Sequence, residues 1–394
     1  MSKRIPRSRE DDYSTKIIAE RQDFIEQNTP ARLEHSKRFS FDPASMAGNI
    51  ENLFGVAQIP IGLAGPLLID GEHAQGEYYV PMATVEGTLL ASYNRGMKVI
   101  RACGGVKTTV VGEAMQRAPA FLFRDGREAR DFGLWLTENF VAIKAVAEAT
   151  TSIGKLIEIE QYIQHNFVLT RFNFTTGDAA GQNMTSKATF AACEWIRAQY
   201  PTLRNYMLSA NFDTEKKTSY VNGLKNRGKR VTAEITIPAD VLQSHLRISP
   251  WQLQFGYTIS TLSAQISGAS NNAAHPANGL AALYIATGQD AANIGESNQC
   301  TVYNQITSSG DLYYSITLPS IIVATYGGGT ALSTQRECLE IMDCFGPGKA
   351  HRLAEIAAAT VLAGEISLVA ATRVDKETRK SDWVDAHEKL GRNR

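Results

Sequence analysis

Four segments of this chain each set one acid or base among small, turn-forming residues. Lys216 lies in SANFDTEKKTSYVNG, Glu86 in PMATVEGTLLAS, Asp290 in ATGQDAAN and His387 in VDAHEKLGRN. Taken singly, each has an ordinary explanation. Glu86 suits a helix N-terminus, Asp290 a cap, Lys216-Lys217 a solvated loop, and His387 a charged surface helix. His275, in AAHPAN, reads as a satisfied core histidine. Taken together, a carboxylic acid, an ammonium, a second carboxylate and an imidazole are the cast for proton transfers around a reacting carbonyl. Spacing alone does not say that they meet.

Two further segments suit a ligand. TTGDAAGQNM runs into a helix, so its amides could cradle a phosphate or simply cap that helix. It is neither a G-x-G-x-x-G nor a P-loop. The three glycines of TYGGGT permit close backbone approach to a ligand, or a strained turn.

The elements that must position these residues are legible in outline. Residues 1 to about 48 are polar and mostly helical in pattern. From Ile50 the Gly- and Pro-rich ENLFGVAQIPIGLAGPLLIDG reads as strands and turns. PMATVEGTLLASYNRGMKVIRACGG reads as a turn into a helix capped by Thr84 and ended by Gly104-Gly105. A helix is expected over 128–150, strands over 165–174 and 229–237, and a buried small-residue helix within 252–287. SITLPSIIVATYGGGTAL reads as a strand broken by a glycine turn, and AHRLAEIAAATVLAGEISLVAAT as another small-residue helix.

Composition narrows the class. The 394 residues suggest two or three domains. Lys plus Arg equals Asp plus Glu at 40 each, so there is no nucleic-acid footprint. No uninterrupted apolar run reaches the roughly 18–20 residues of a membrane span. MSKRIPRSREDDYSTK lacks the apolar core of a secretory signal, and its early acids argue against a mitochondrial address. Cys103, Cys193, Cys300, Cys338 and Cys344 are odd in number and scattered, which reads as reduced thiols in a cytoplasm. With no C-x-x-C and no H-x-x-x-H, a protein-held metal is not expected.

The ordered stretches ENLFG, IPIGLAGPL, PMATVEGTLLAS, NRG, MQRAP, TGDAAGQNM, NRGK, AAHPAN, GQDAAN, LPSIIVATYGGGT, ATVLAGEISL and AHEKLGRN carry a resemblance. From about residue 48 onward the chain resembles the catalytic portion of 3-hydroxy-3-methylglutaryl-CoA (HMG-CoA) reductase, and the lysine-pair segment resembles its eukaryotic and archaeal branch. The resemblance implies an α/β (α+β) fold: a large acyl-CoA domain around a buried central helix, over 51–118 and 219–394. It implies a small ferredoxin-like, nicotinamide-binding domain inserted at 119–206 and a catalytic loop at 207–219; the helical pattern of the N-terminal residues marks 1–50 as a segment of its own. It implies an oxidoreductase of the mevalonate route making two hydride transfers from NADPH, with NADH as an alternative. Active sites would form between subunits of a homodimer or higher oligomer.

By resemblance, Lys216 stabilises the oxyanion, Glu86 donates a proton, and His387 protonates the departing CoA thiolate. Asp290 hydrogen-bonds both Lys216 and Glu86 and raises the acid's pKa. Arg117, Ser209, Asn211, Lys217 and Asn278 match acyl-group positions. Asp178, Gly181, Asn183 and Gly327, Gly328 and Gly329 match the cofactor site.

The chain departs from the family's pattern at several points. Glu215 replaces an aspartate, Ala180 and Gln182 replace two methionines, and Tyr93 stands in ASYNRG. Thr258 stands where an acyl-site lysine is expected. Ser152 stands where an arginine would meet a 2′-phosphate, with Lys155 nearby. A charged insertion, RVDKETRKSD (373–382), precedes His387. The alternatives are a reductase of another acyl thioester in specialised metabolism, and a catalytically silent CoA-binding paralogue.

Overall fold

A computed structural model describes residues 4–372 and 381–389; most of the 373–382 insertion lies outside the described residues, as does the His387 side chain. Helix α1 (Thr15–Asn28) is capped by Ser14, whose hydroxyl accepts from the Ile17 amide. Its Ile17 and Ile18 join Met46 and Leu53 in a small outlying core. The first 48 residues are less helical than their pattern suggests. Pro30 stops α1 by forcing Thr29 into an extended conformation, and only a short 3₁₀ turn follows at Pro43–Met46.

Strands β1 (Ile61–Gly71) and β2 (Gln75–Ala83) form a hairpin that leads into α2 (Leu89–Ala102) and β3 (Val106–Arg117). Strand β3 serves two units. Its first residues pair in parallel with β1, and its last three pair with a strand of the inserted unit.

That unit runs β4 (Ala120–Leu122), α3 (Gly126–Glu138), α4 (Phe140–Glu148), β5 (Lys155–Gln164), β6 (Phe167–Thr175), α5 (Gln182–Gln199) and β7 (Asn205–Met207). Its strand order, β7-β4-β6-β5 with antiparallel neighbours, is the split β-α-β arrangement of ferredoxin-like folds. The single helix expected over 128–150 is two, broken at Asn139. An aromatic core of Phe121, Phe123, Phe132, Phe172 and Phe174 lies between sheet and helices.

The chain then returns through α6 (Tyr220–Leu224), β8 (Gly228–Ile237), α7 (Ala239–Leu246), α8 (Pro250–Ser267), α9 (Pro276–Thr287) and α10 (Ile294–Ser297). It ends with β9 (Thr301–Ile306), β10 (Leu312–Ile321), α11 (Ser333–Ile341), α12 (Ala350–Thr372) and α13 (Asp382–Lys389). Strand β8 pairs with β3 on one side and β10 on the other, completing a mixed sheet. The small-residue stretch 252–287 is two unlike helices. Helix α9 is largely buried, but α8 exposes Trp251, Phe255, Ile259, Leu262 and Ile266.

Helix α12 is the centre of the large core. By length and mean hydropathy it passes as a membrane span, which a search for uninterrupted apolar runs misses because Glu355 and Glu365 interrupt it. The helix is buried within the protein instead, and each glutamate fastens a loop. Glu355 accepts the amides of Glu72, His73 and Ala74 at the β1–β2 turn. Glu365 accepts those of Ala274 and His275 before α9, and the Tyr257 hydroxyl. Small residues let backbones approach closely: a Cβ at Gly96 of α2 would lie 1.8 Å from the Ala363 carbonyl. Tyr93, the departure in ASYNRG, fits because Gly279 and Gly364 leave room for its ring. Any side chain at either position would overpack the core, typically by ~1–3 kcal/mol.

Candidate active site

The loop between β7 and α6 carries three non-glycine residues at left-handed φ: Asn211 (66°), Thr214 (55°) and Lys216 (60°). Such backbone is sparsely populated and needs support from its surroundings. Asp213, almost fully buried, accepts from Arg117 Nη1 at 2.9 Å and from the Ser209 hydroxyl at 3.0 Å. Arg117 Nη1 also reaches Glu215 Oε2 at 2.8 Å. Thr214 donates to Asn222 Oδ1 at 2.9 Å, and Thr218 to the Gly295 carbonyl at 2.6 Å. The result is a braced loop that presents Lys216 outward.

Lys216 Nζ meets Asp290 Oδ2 at 2.9 Å, and Asp290 Oδ1 accepts the Ala292 amide at 3.0 Å. The hydrogen bond to Asp290 holds the Lys216 pKa above its ordinary value. The lysine is therefore a protonated donor. Lys217 instead donates to the Glu215 carbonyl at 3.1 Å.

Glu86 sits in the turn before α2. Thr84 does not cap that helix, which starts at Leu89; its hydroxyl accepts the Glu86 amide at 3.0 Å and shapes the turn. Asn278 donates to Glu86 Oε1 at 3.4 Å. The expectation that Asp290 bonds both Lys216 and Glu86 is met only for Lys216. Among the described hydrogen bonds, Asp290 does not reach Glu86, because the two carboxylates belong to different clefts.

One cleft, of about 360 Å³, is lined by Glu86, Ser92, Arg95, His275, Asn278 and α13 residues including Asp382 and Trp383. Burial pushes His275 down to about 4, so it stands neutral beside Ser92 and Tyr93. Arg95 pairs with Asp382 at 3.0 Å and so ties α13 to α2. His387 lies on α13; its side chain is outside the description.

The other cleft, of about 370 Å³, is lined by 179–184, 288–290, Asn293 and 326–330. Gly181 starts α5 at φ 82°, and a Cβ there would collide with Thr176. Asn183 follows in the first turn, exposed. Around Gly327 and Gly328 a Cβ would meet open space, so these glycines leave room for a ligand to approach the backbone. Gly329 instead packs against Gly288. These features fit a flat, phosphorylated cofactor laid along backbone. Asp178 has another task. Its carboxylate accepts the amides of Gly348, Lys349 and Ala350, capping α12. It holds the cleft wall in place. Ser152 and Lys155 are exposed beyond the cleft, where Gly154 packs on Met184, and Lys155 Nζ pairs with Glu148 at 3.2 Å.

Sequence reasoning missed Asp213, Arg95 and a buried pair, Arg227 with Glu296, whose partners are distant in the chain. Burial pushes the Glu296 carboxyl up to about 7, while Arg227 and the Lys216 amide pull it down. Thr258, at the expected lysine position, lies on the exposed side of α8, lines neither cleft, and donates to the Gln254 carbonyl. Among the described residues, Glu72, His73 and Glu355 have ligand atoms within 4.8 Å of one another, although Glu355 is engaged with the turn amides.

The family model described as hydroxymethylglutaryl-coenzyme A reductase matches residues 17–392. The chain is 42% identical to the 3-hydroxy-3-methylglutaryl-coenzyme A reductase of Methanothermobacter thermautotrophicus, covering 94% of this chain and 92% of that protein. It is 40% identical to the same-named protein of Pyrococcus abyssi, covering 93% and 91%. Among solved structures, a class II 3-hydroxy-3-methylglutaryl-CoA reductase from Streptococcus pneumoniae, bound to NADPH in open conformations, superposes with a TM-score of 0.67. It is 20% identical, over 83% of this chain and 88% of that one, a likeness of fold alone. The chain belongs to the hydroxymethylglutaryl-coenzyme A reductase family.

Proposed function

We infer that this chain reduces the thioester of HMG-CoA to a primary alcohol with NADPH. The observation that carries this reading is the position of Asp290. It holds Lys216 at 2.9 Å and also lines the glycine-rich cleft, so a protonated donor stands where that cleft ends.

When bound, each of two successive NADPH molecules would supply one hydride. Gly181 and Asn183 at the start of α5, with Gly327, Gly328 and Gly329, would hold the cofactor. Lys216 keeps a proton at Nζ beside the carbonyl oxygen as that oxygen gains charge, stabilising the oxyanion. Cleavage of the carbon–sulfur bond then releases a thiolate, which takes a proton from His387. In the second reduction the aldehyde oxygen becomes an alkoxide, and Glu86 or Lys216 supplies its proton. Two hydrides and two protons thus turn the thioester into an alcohol and a free thiol.

Arg117 and Ser209 act on the acyl group indirectly, since both are tied to Asp213; with Glu215 they set the loop that carries Asn211, Lys216 and Lys217. Asn278 orients Glu86. The unit 119–206 is the cofactor-binding part, 207–219 the catalytic loop, and 51–118 with 219–394 the acyl-CoA part. The same reading includes a homodimer in the cytoplasm, with sites between subunits. The apolar face of α8, where Trp251 stacks on Phe255, supports an interface, and the five unpaired cysteines agree with a reducing compartment.

A second reading, reduction of a different acyl thioester, is favoured by Thr258. Following nicotinamide absorbance with HMG-CoA and then with a panel of acyl-CoAs decides between them. Turnover of HMG-CoA at least ~10-fold better than any other thioester is expected. Faster turnover of a thioester without a carboxylate would select the second reading, and no turnover of any would reject both.

A further inference from the structure

Beneath the lysine loop lies an ion pair that the chemistry above does not use. Arg227 Nε donates to Glu296 Oε2 at 2.7 Å, and neither side chain is exposed. Two charges withdrawn from water are costly to keep, so their retention asks for a task. Their contacts indicate one. Arg227 Nη1 donates to the carbonyl of Gln116, the residue before Arg117, at 3.0 Å. Its Nη2 lies 3.9 Å from Glu215 Oε2, on the residue before Lys216. Glu296 follows Gly295, whose backbone packs so closely on Lys216 that a Cβ there would lie 2.5 Å from the Lys216 carbonyl. Gly295 also accepts the Thr218 hydroxyl at 2.6 Å. Arg227 thus reaches the residue before the lysine, and the backbone that leads into Glu296 packs on the lysine itself, which is held at left-handed φ, a conformation its own chemistry does not favour.

We propose that the buried Arg227–Glu296 pair is a positioning device for Lys216. It fixes the left-handed backbone of the loop and thereby aims the ammonium at Asp290. The proposal rests on the oxyanion role assigned to Lys216. Neither residue of the pair touches substrate, so both act through the lysine.

Glu296→Gln keeps the size of the side chain and an acceptor for Arg227, while Glu296→Ala and Arg227→Met remove the pair. Each is made in the full-length chain, alone and with Lys216→Ala. For the single variants kcat should fall at least ~30-fold for the two removals and ~10-fold for Glu296→Gln, with KM for HMG-CoA within ~3-fold. With Lys216 already removed, the same changes should lower kcat by less than ~3-fold further, because residues that act as a unit are not additive. Amide exchange over 213–218 should quicken in the single variants. Equal losses with and without Lys216, or unchanged exchange, would overturn the proposal in favour of a general stabilising role. Should the removals fail to fold, Glu296→Gln decides alone, and normal kcat in that variant would also overturn it. Should Lys216→Ala itself keep full activity, the oxyanion role falls, while the exchange rates still report whether the pair orders the loop.

Discussion

Lys216 and Asp290 meet at 2.9 Å across two loops that belong to different parts of the fold. Asp290 is fixed by the Ala292 amide, and Lys216 by a braced left-handed backbone. Both side chains remain partly exposed, so the pair is open to a substrate and is not a buried strut. An ammonium that is protonated, fixed at its base and open at its tip is what a developing oxyanion requires.

Removing that donor should therefore abolish most of the activity. Lys216→Ala is expected to lower kcat by at least ~10²-fold, the scale for loss of one preorganised donor. The thermal midpoint should stay within ~3 °C, because the ammonium is surface-accessible. Steady-state kinetics beside a melting curve check both, and near-normal turnover would refute the assignment.

The cofactor's 2′-phosphate is expected to be held loosely. Ser152 offers no charge, and Lys155 is already paired with Glu148 at 3.2 Å. The preference for NADPH over NADH in kcat/KM should be under ~100-fold, or ~2.7 kcal/mol. Ser152→Arg should raise it ~10-fold by adding a bidentate partner. If wild type already exceeds ~100-fold, another cation serves the phosphate.

The acyl carboxylate is the next test. Thr258 is exposed on the apolar face of α8, the face proposed above as a subunit interface, so in the proposed dimer a lysine there would be offered to a neighbouring copy's substrate. Thr258→Lys should tighten HMG-CoA binding ~10-fold, about 1.4 kcal/mol. If the site is formed in the proposed dimer, the gain should vanish on dilution to monomer. A titration of wild type and variant, each with its sedimentation profile, tests both. No change in affinity would mean that the carboxylate is met elsewhere.

His275 should leave a mark on acid stability. Burial lowers its folded pKa from 6.5 to about 4. Between those values the unfolded chain binds a proton that the folded chain refuses. Its contribution is thus present above pH 6.5 and lost as pH falls towards 4, by at most ~1.4 kcal/mol per unit. His275→Gln should flatten that part of the stability profile in urea titrations from pH 7 to 4. An unchanged slope would show that another group governs it.

Much of the site's cast is legible in the chain alone. The turn before α2, the lysine loop, the QDAAN cap and the glycine run are local devices, written in small and polar residues whose neighbours decide their conformation. The split β-α-β order and the membrane-like α12 are different: whether α12 is core or span depends on what packs around it, and α8 and α9 share a composition yet differ in burial. The pairing of Asp290 with Lys216 but not Glu86, the use of Asp178 as a helix cap, and the Arg227–Glu296 pair under the loop are decided only by tertiary structure. Burial and pairing are properties of distant segments brought together, and no local spacing encodes which charge will find which partner.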